Sequence, residues 1–421
     1  MAGGLRLAWR KFGLQRSDQI SGPQVLMPGL RVRHLERASA LPAAVWNSFF
    51  PAAYPFTRHE FLDALETHGC ASPETGWTPC HAVLEDESGT VAGIAPLYLK
   101  AHSYGEFVFD FSWAEASQSI GRPYYPKLLN AVPFTPATGP RLGARDAAAR
   151  TALATALPEI ARANRLSSMH ALFLDGPDLD ALGAAGCLER NDVQFHWRNR
   201  GYADFGGFVA RLSSDKRKKL LRERRRVAEA GLRFEVRAGD EIGEAAWLRV
   251  YELYSNTYEE RGQAPYLTLD FFLDYGQRAG TPVRLILAYD GERLAAVAIT
   301  VQGGNTLYGR HWGADQRYHS LHFETCYYQG IEWCIREGLQ CFDAGAQGEH
   351  KLARGFEPVR TRSAHWLADP RLHKAVAKSL QREREWVGQR GDALADHSPY
   401  RQDAPLEIAA EAPLAADESY G

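Results

Sequence analysis

The chain has 421 residues, 45% apolar and 24% charged, which excludes a disordered polymer and gives length for two or three domains of ordinary size. A formal net charge of −2 excludes strong overall attraction to nucleic acid or membrane, so any contact with a polyanion has to be local. Six cysteines, none in a CxxC pair, read as reduced thiols, and no apolar run approaches the roughly 20 residues of a membrane span.

Residues 1–28 carry Arg and Lys, are almost free of acids and lack the apolar core of a secretory signal, so they read as an N-terminal extension of a cytoplasmic protein. A strand is predicted over 30–36, helical segments over 41–70, and a β-hairpin with a third strand over 80–112. A long helix over 145–164, a strand over 169–175, a short helix or turn and a strand over 193–198 follow. The stretch 205–231 reads as two short helices or a hairpin. The first order of elements then returns: a strand at 232–238, helices in 242–276, a hairpin and strand in 283–313, a helix over 321–337 and strands at 340–344 and 361–368. In that last helix Phe323, Tyr327, Ile331 and Ile335 form one apolar face, and Gly338 supplies a left-handed stop. From 391 to 421 the sequence is rich in Ala, Pro and acids and reads as a disordered acidic tail.

The return is visible in the letters. "GLRVRHLE" at Gly29 answers "GLRFEVRA" at Gly231, and "TRHEFLD" at Thr57 answers "TLDFFLD" at Thr268. "DESGTVAGIAPLYL" is matched by "YDGERLAAVAITVQ", and "GCLERNDVQFHW" (186–197) by "GFEPVRTRSAHW" (355–366). Four pairs in one order predict a duplication, with units at 29–200 and 231–390 joined by a basic connector, 201–230. Gly89 and Gly291 lie 202 apart but His196 and His365 only 169 apart, so the first unit carries an insertion, assigned to 119–144. The expected fold class is α/β, with mixed sheets flanked by helices.

Three groups of residues are candidates for function. In "GAQGEHKLARGF" (345–356), after a strand, Asp343 or Glu349 is a candidate base and His350 a proton relay, while Lys351 and Arg354 suit a phosphate or carboxylate. The plainer reading is a charged turn whose ions pair with one another. In and beside the insertion, Tyr124, Tyr125, Lys127 and Arg141 offer stacking faces and cations in a long loop, with Asp110 on the strand before it. The third group is one predicted helix, capped by Ser214 or Asp215, bearing Lys216, Arg217, Lys218, Lys219, Arg222, Arg224, Arg225 and Arg226, a local footprint for RNA, polyphosphate or an anionic lipid-linked precursor. His319, His322 and Cys326, with His350 as a fourth group, have ligand-like spacing, but on an amphipathic helix they read as packing residues, and no metal is expected.

The order of elements resembles the GNAT acyltransferase fold in tandem. With the basic segment near the second unit, it resembles the Fem aminoacyltransferases. "YYPKLLNAVPFTPATGPRL", "YYQGIEWCIREGL" and "GAQGEHKLARGF" are similar to a bacterial family of Fem-like (FemAB-related) predicted N-acyltransferases over about 30–370. The resemblance implies transfer of an aminoacyl or acyl group to an amine acceptor such as a peptidoglycan precursor. It implies no permanently bound cofactor, only an acyl donor, aminoacyl-tRNA or acyl-CoA, as co-substrate. The sequence departs from acyl-CoA-dependent GNAT enzymes where backbone N–H groups hold pyrophosphate. The second unit reads "DQRYHSLHF", with Gln316 present but His319 where glycine and Leu321 where glycine or alanine is expected. The first unit offers Gly139, Arg141 and Gly143 in "TGPRLGARD". The alternative, from another class, is a non-catalytic protein that recognises RNA or an anionic glycan through the basic helix.

Overall fold

The structure, a computed structural model, describes residues 24–27, 29–315, 318–346 and 348–401. Alternating apolar residues in the N-terminal half build a five-stranded antiparallel sheet in the order Gln24–Met27, Leu30–Leu35, His81–Asp86, Val91–Ala95 and Gly143–Ala144. The helix Ala147–Ala163 covers it with Ala149, Ala152, Leu153, Ala156, Leu157 and Ile160, a stripe of period 3.6. Asp146 caps that helix by accepting the Ala149 N–H at 2.7 Å.

Everything else is organised on one sheet of eleven strands. From one edge the order is Arg233–Ala238, Val283–Asp290, Arg293–Gly303, Thr306–Ala314, Cys341–Asp343, Leu188–Arg198, Glu357–Leu367, Ser168–Leu172, Lys127–Asn130, Tyr98–Lys100 and Trp77–Pro79. The two repeated segments thus end up side by side at its centre. Each has crossed to the other half. Leu188–Arg198, from the first unit, pairs antiparallel with Cys341–Asp343 of the second, and Glu357–Leu367, from the second, pairs with Ser168–Leu172 of the first. Between themselves the exchanged strands run antiparallel from Leu188 opposite His365 to His196 opposite Glu357. The register makes the pair self-complementary: Asp192 faces Thr361, and each is the same residue of its own repeat. A local two-fold therefore passes between them.

Several expected elements shift. Asp110 is not on a strand but directly precedes the helix Phe111–Ser119, and Lys127 opens a strand instead of lying in a loop. The basic helix spans Ser214–Glu229, after a separate helix Phe205–Arg211, and Ser213 stands at its N-cap without a capping side-chain bond, so neither Ser214 nor Asp215 caps it. In the helix that starts at Leu321, a π-turn at Glu324–Tyr328 adds a residue to one turn. The i+4 face consequently slips, and Tyr327, Tyr328, Ile331 and Cys334 are buried while Phe323 and Ile335 are half-buried. Residues 24–27 of the expected extension form a strand, and residues 1–23 and 28 lie outside the described residues.

The tail is corrected in its first part. The helix Pro370–Asp396 runs past 390, and the chain then docks: Ser213 N–H donates to Pro399 O at 2.8 Å and Tyr400 Oη to Gly355 O at 2.6 Å. Tyr400 is buried there with Phe208 and Phe356. The acidic residues 402–421 lie outside the described residues.

Candidate functional site

At the local two-fold lies a cleft of about 100 Å³ that opens to solvent. The exchanged strands supply Arg190, Asp192, Gln194, Thr361, Arg362 and Ser363; Phe107–Phe109, Phe173 and Ala346 close the sides. Arg190 is committed: it pairs with Glu383 at 2.9 Å, donates to Phe109 O at 2.7 Å and lies over Trp113. No carboxylate among the described residues pairs with Arg362, which leaves it as the cleft's available cation.

Two polar chains run outward from this cleft, related by the two-fold. On one side Gln194 Oε1 meets His196 Nε2 at 3.4 Å, and His196 Nε2 lies 3.6 Å from Asp343 Oδ1. Asp343 is held by the Gly345 N–H, which donates to the same oxygen at 2.8 Å. On the other side Ser363 Oγ lies 2.9 Å from His365 Nε2, and His365 Nδ1 lies 2.7 Å from His170 Nδ1. Ser363 and His365 are the counterparts of Gln194 and His196 in the repeat. The second chain goes deeper. His170 Nε2 lies 2.8 Å from Ser168 Oγ and 3.1 Å from Tyr124 Oη, which donates to Asp110 Oδ2 at 2.6 Å.

Asp110 belongs to a buried ionic cluster. Lys127, wholly buried, donates to Asp110 at 2.5 Å, to Glu106 at 2.8 Å and to Ser103 Oγ at 2.8 Å, and Ser103 also meets Tyr125 Oη at 2.8 Å. Burial pushes the Glu106 carboxyl up to about 7, against the pull of Lys127. Burial also pushes Asp110 upward, but the Lys127 ammonium outweighs it and holds the group below the usual carboxylate range. Burial lowers His170 to about 3 and drives His365 well below its ordinary value, so both rings are neutral. Burial likewise lowers Lys100, which sits 3.8 Å above the Trp77 ring, to about 7.

The residues of GAQGEHKLARGF separate. Lys351 is buried and donates to Gly345 O at 2.5 Å, and burial lowers its amine to about 8. Arg354 is buried too, bonded to Glu223 Oε1 and His350 O at 2.8 Å each and stacked 3.4 Å from the Phe323 ring centre. Both cations brace the segment instead of facing a ligand. Glu349 points to the surface and pairs with Arg390, which removes it from the candidate bases. His350 is exposed, 2.9 Å from Tyr327 Oη, with its pKa lowered by burial and by Arg354. Of the candidates here only Asp343 reaches the neighbourhood of the cleft, through His196 and Gln194, although Ala346 of the segment lines it.

Arg141 is also structural. Its guanidinium is wholly buried and donates to Ala137 O at 2.7 Å, Pro140 O at 3.1 Å and Tyr54 Oη at 3.2 Å. The nearby glycines are spent on packing: a Cβ at Gly139 would meet the Tyr54 ring at 2.4 Å, and one at Gly143 the Phe50 ring at 2.8 Å. Side chains, not an open backbone cradle, therefore occupy the ground expected to take an anion. In the second unit Gln316 lies outside the described residues, His319 turns to Arg226 at 3.2 Å, and His322 packs edge-on against Trp312 and Tyr327.

The basic helix divides by face. Leu220, Glu223 and Val227 are buried, and Arg224 is bound to Glu324 at 3.0 Å and Glu332 at 2.8 Å. Lys218, Lys219, Arg222, Arg225 and Arg226 face outward, with Lys216 and Arg217 half-buried at the first turn. Among the described residues no carboxylate pairs with Lys218, Lys219, Arg222 or Arg225.

His170, His365, His196, Glu106 and Arg362 were not singled out as site residues from the sequence. The repeat held the signal for two of them, since His196 and His365 close the two matched segments at equal distance from their glycines.

This duplicated α/β architecture, one mixed and one antiparallel sheet flanked by helices, is the tandem GNAT-like fold. The chain belongs to the FemAB-like family, described as peptidoglycan biosynthesis/recognition, which matches residues 37–402. Among solved structures it is similar to FemX (11% identity, 80% of this chain and 98% of that one, TM-score 0.48). It is also similar to a tandem GNAT protein from the clavulanic acid biosynthesis pathway (14% identity, 81% and 99%, TM-score 0.44). A third likeness is to the C-terminal domain of a putative lysylphosphatidylglycerol synthetase from Agrobacterium fabrum (12% identity, 80% and 94%, TM-score 0.46). No curated protein sequence matches the chain. Among the described residues no helix is long and apolar enough to cross a membrane, and no group of His, Cys, Asp and Glu is arranged to hold a metal ion.

Proposed function

We propose that the protein is an N-acyltransferase that moves an aminoacyl or other acyl group onto an amine of a peptidoglycan-related acceptor, with the axial cleft as its reaction site. The observation that carries this reading is the cleft itself: both halves build it, it holds the available cation Arg362, and it is flanked by chains of polar side chains that lead to carboxylates. Arg362 grips an anionic group of the acceptor and thereby fixes the amine, while Ser363 and Gln194 address the reacting atoms. Direct attack of the amine on the acyl carbon is favoured, because the cleft's lining contains no cysteine and its Ser363 meets His365, whose other nitrogen faces the neutral His170 ring and not a carboxylate. The acyl donor, aminoacyl-tRNA or acyl-CoA, is a co-substrate. The outward cations of the basic helix suit the former.

A second reading, recognition of RNA or an anionic glycan without catalysis, is favoured by those same unpaired cations. Thermal denaturation against acetyl-CoA, longer acyl-CoAs, charged tRNA and UDP-linked muropeptides, followed by mass spectrometry of mixtures of the ligands that bind, separates the two. A ligand that binds only the folded state raises the melting temperature. A product heavier by the acyl mass, lost in Arg362→Ala, supports transfer. Binding of tRNA with no product from any mixture, abolished by reversing the basic face, supports recognition alone.

A further inference from the structure

We propose that Ser363, His365, His170 and Tyr124 form a proton relay that connects the axial cleft to the buried carboxylate pair on Lys127. The inference rests on the reading of the cleft as an acyl-transfer site and deepens it. Its foundation is the contact between the two rings. Two Nδ1 atoms 2.7 Å apart can hold only one proton between them, so one ring donates and the other accepts. Both are buried and neutral, which leaves two arrangements. In one, Ser363 donates to His365 Nε2, His365 Nδ1–H to His170 Nδ1, and His170 Nε2–H is shared between Tyr124 Oη at 3.1 Å and Ser168 Oγ at 2.8 Å. In the other every one of these protons has moved one place toward Asp110. Neither ring becomes an imidazolium in either state, so burial does not oppose the exchange.

The far end has room for the proton. Two carboxylates share one ammonium there, and among the described residues Glu106 Oε1 and Asp110 Oδ1 are buried without a hydrogen-bond partner. As the amine attacks, its nitrogen forms a bond to the acyl carbon and its proton passes to Ser363 Oγ. Ser363 gives its own to His365, His365 to His170, His170 to Tyr124 and Tyr124 to Asp110. Lys127 takes that proton from Asp110 while handing one to Glu106. The cluster ends with Glu106 neutral and Asp110 still paired to Lys127. When the ester C–O or thioester C–S bond breaks, the proton returns along the same path to the departing oxygen or sulfur, and both rings regain their first tautomer. The histidines are relay residues; only Ser363 lines the cleft.

The test needs no substrate. Full-length protein labelled with 15N in its imidazoles is followed by NMR from about pH 5 to about pH 9. The charged and titrating groups facing the two rings are Asp110, Lys127 and Arg190, and those facing Glu106 are Lys127, Asp110 and Lys100. The expected result is a coupling across the Nδ1–Nδ1 hydrogen bond and a change in both tautomer populations with one inflection near 7, where Glu106 titrates. Glu106→Gln keeps the coupling and loses the inflection. Tyr124→Phe keeps the coupling and also loses it, because the wire is cut between cluster and rings. Tautomers that stay fixed throughout the range in the native protein overturn the relay, as does an inflection that survives in Tyr124→Phe. Should Tyr124→Phe fail to fold, Glu106→Gln alone decides. Responsive histidines with no acyl transfer from any donor would sink the acyltransferase reading and leave the relay standing; transfer with fixed histidines would do the reverse.

Discussion

Asp192 and Thr361 face each other across the central antiparallel pair, and each is the sixth residue after the glycine that opens its repeat, Gly186 or Gly355. The two halves are therefore related by a two-fold whose axis runs through strands they have traded, and neither half can complete its sheet alone.

The first prediction concerns cooperativity. Because each half borrows its neighbour's strand, the halves cannot melt separately, although the chain is long enough for two domains. Calorimetry is expected to show a single transition with equal calorimetric and van't Hoff enthalpies. Two resolved transitions would contradict a structural role for the exchange.

The second concerns Arg354. A buried ion pair with Glu223 makes removal of one partner costly, so Arg354→Met is expected to lose about 3–5 kcal/mol in urea denaturation. The paired change Glu223→Leu with Arg354→Met removes the orphaned charge and is expected to recover part of that loss, the remainder reflecting the buried Tyr328 hydroxyl, which donates to Glu223 in the native protein. A single variant as stable as the native protein would instead point to a cation kept for a ligand.

The third concerns pH. The Glu106 carboxyl is raised to about 7 in the folded chain, above its unfolded value, so between the two values the folded state binds the extra proton. Its contribution is present below the unfolded pKa and is lost as pH rises through about 7, roughly 3 kcal/mol in all at 1.36 kcal/mol per unit. Denaturation curves at about pH 5 and about pH 8 are expected to converge by that order in Glu106→Gln relative to the native protein. An unchanged difference would mean that Glu106 is ionised throughout.

The fourth concerns the basic helix. Reversing Lys218, Arg222 and Arg225 to Glu is expected to leave the melting temperature nearly unchanged, since these side chains face solvent. Binding of tRNA, measured against salt, is expected to weaken, with a log–log slope shallower by about 0.7–0.9 for each phosphate no longer neutralised. Arg224→Ala is expected to behave oppositely, lowering the melting temperature, because its partner Glu324 is buried. Equal affinity in the triple variant would remove this face from any nucleic-acid role.

The duplication was legible in the letters, because period-2 and period-3.6 patterns and turn glycines recur wherever a fold recurs. So were His196 and His365, as ends of matched segments, and the cationic density of 216–226. Direction was not. Local pattern says that GCLERNDVQFHW is a strand but not which neighbour it pairs with, and the exchange is decided by edges and registers 143 to 177 residues apart. The same limit explains the misassigned residues. Lys351, Arg354 and Arg141 carry the charges of a binding site, yet burial and the presence of Glu223 or loop carbonyls turned them into braces. His170 drew no attention in the sequence, and folding alone set its Nδ1 against that of His365. A charge or a ring acquires its chemistry from the groups that surround it, and those are chosen by the packing of the whole chain.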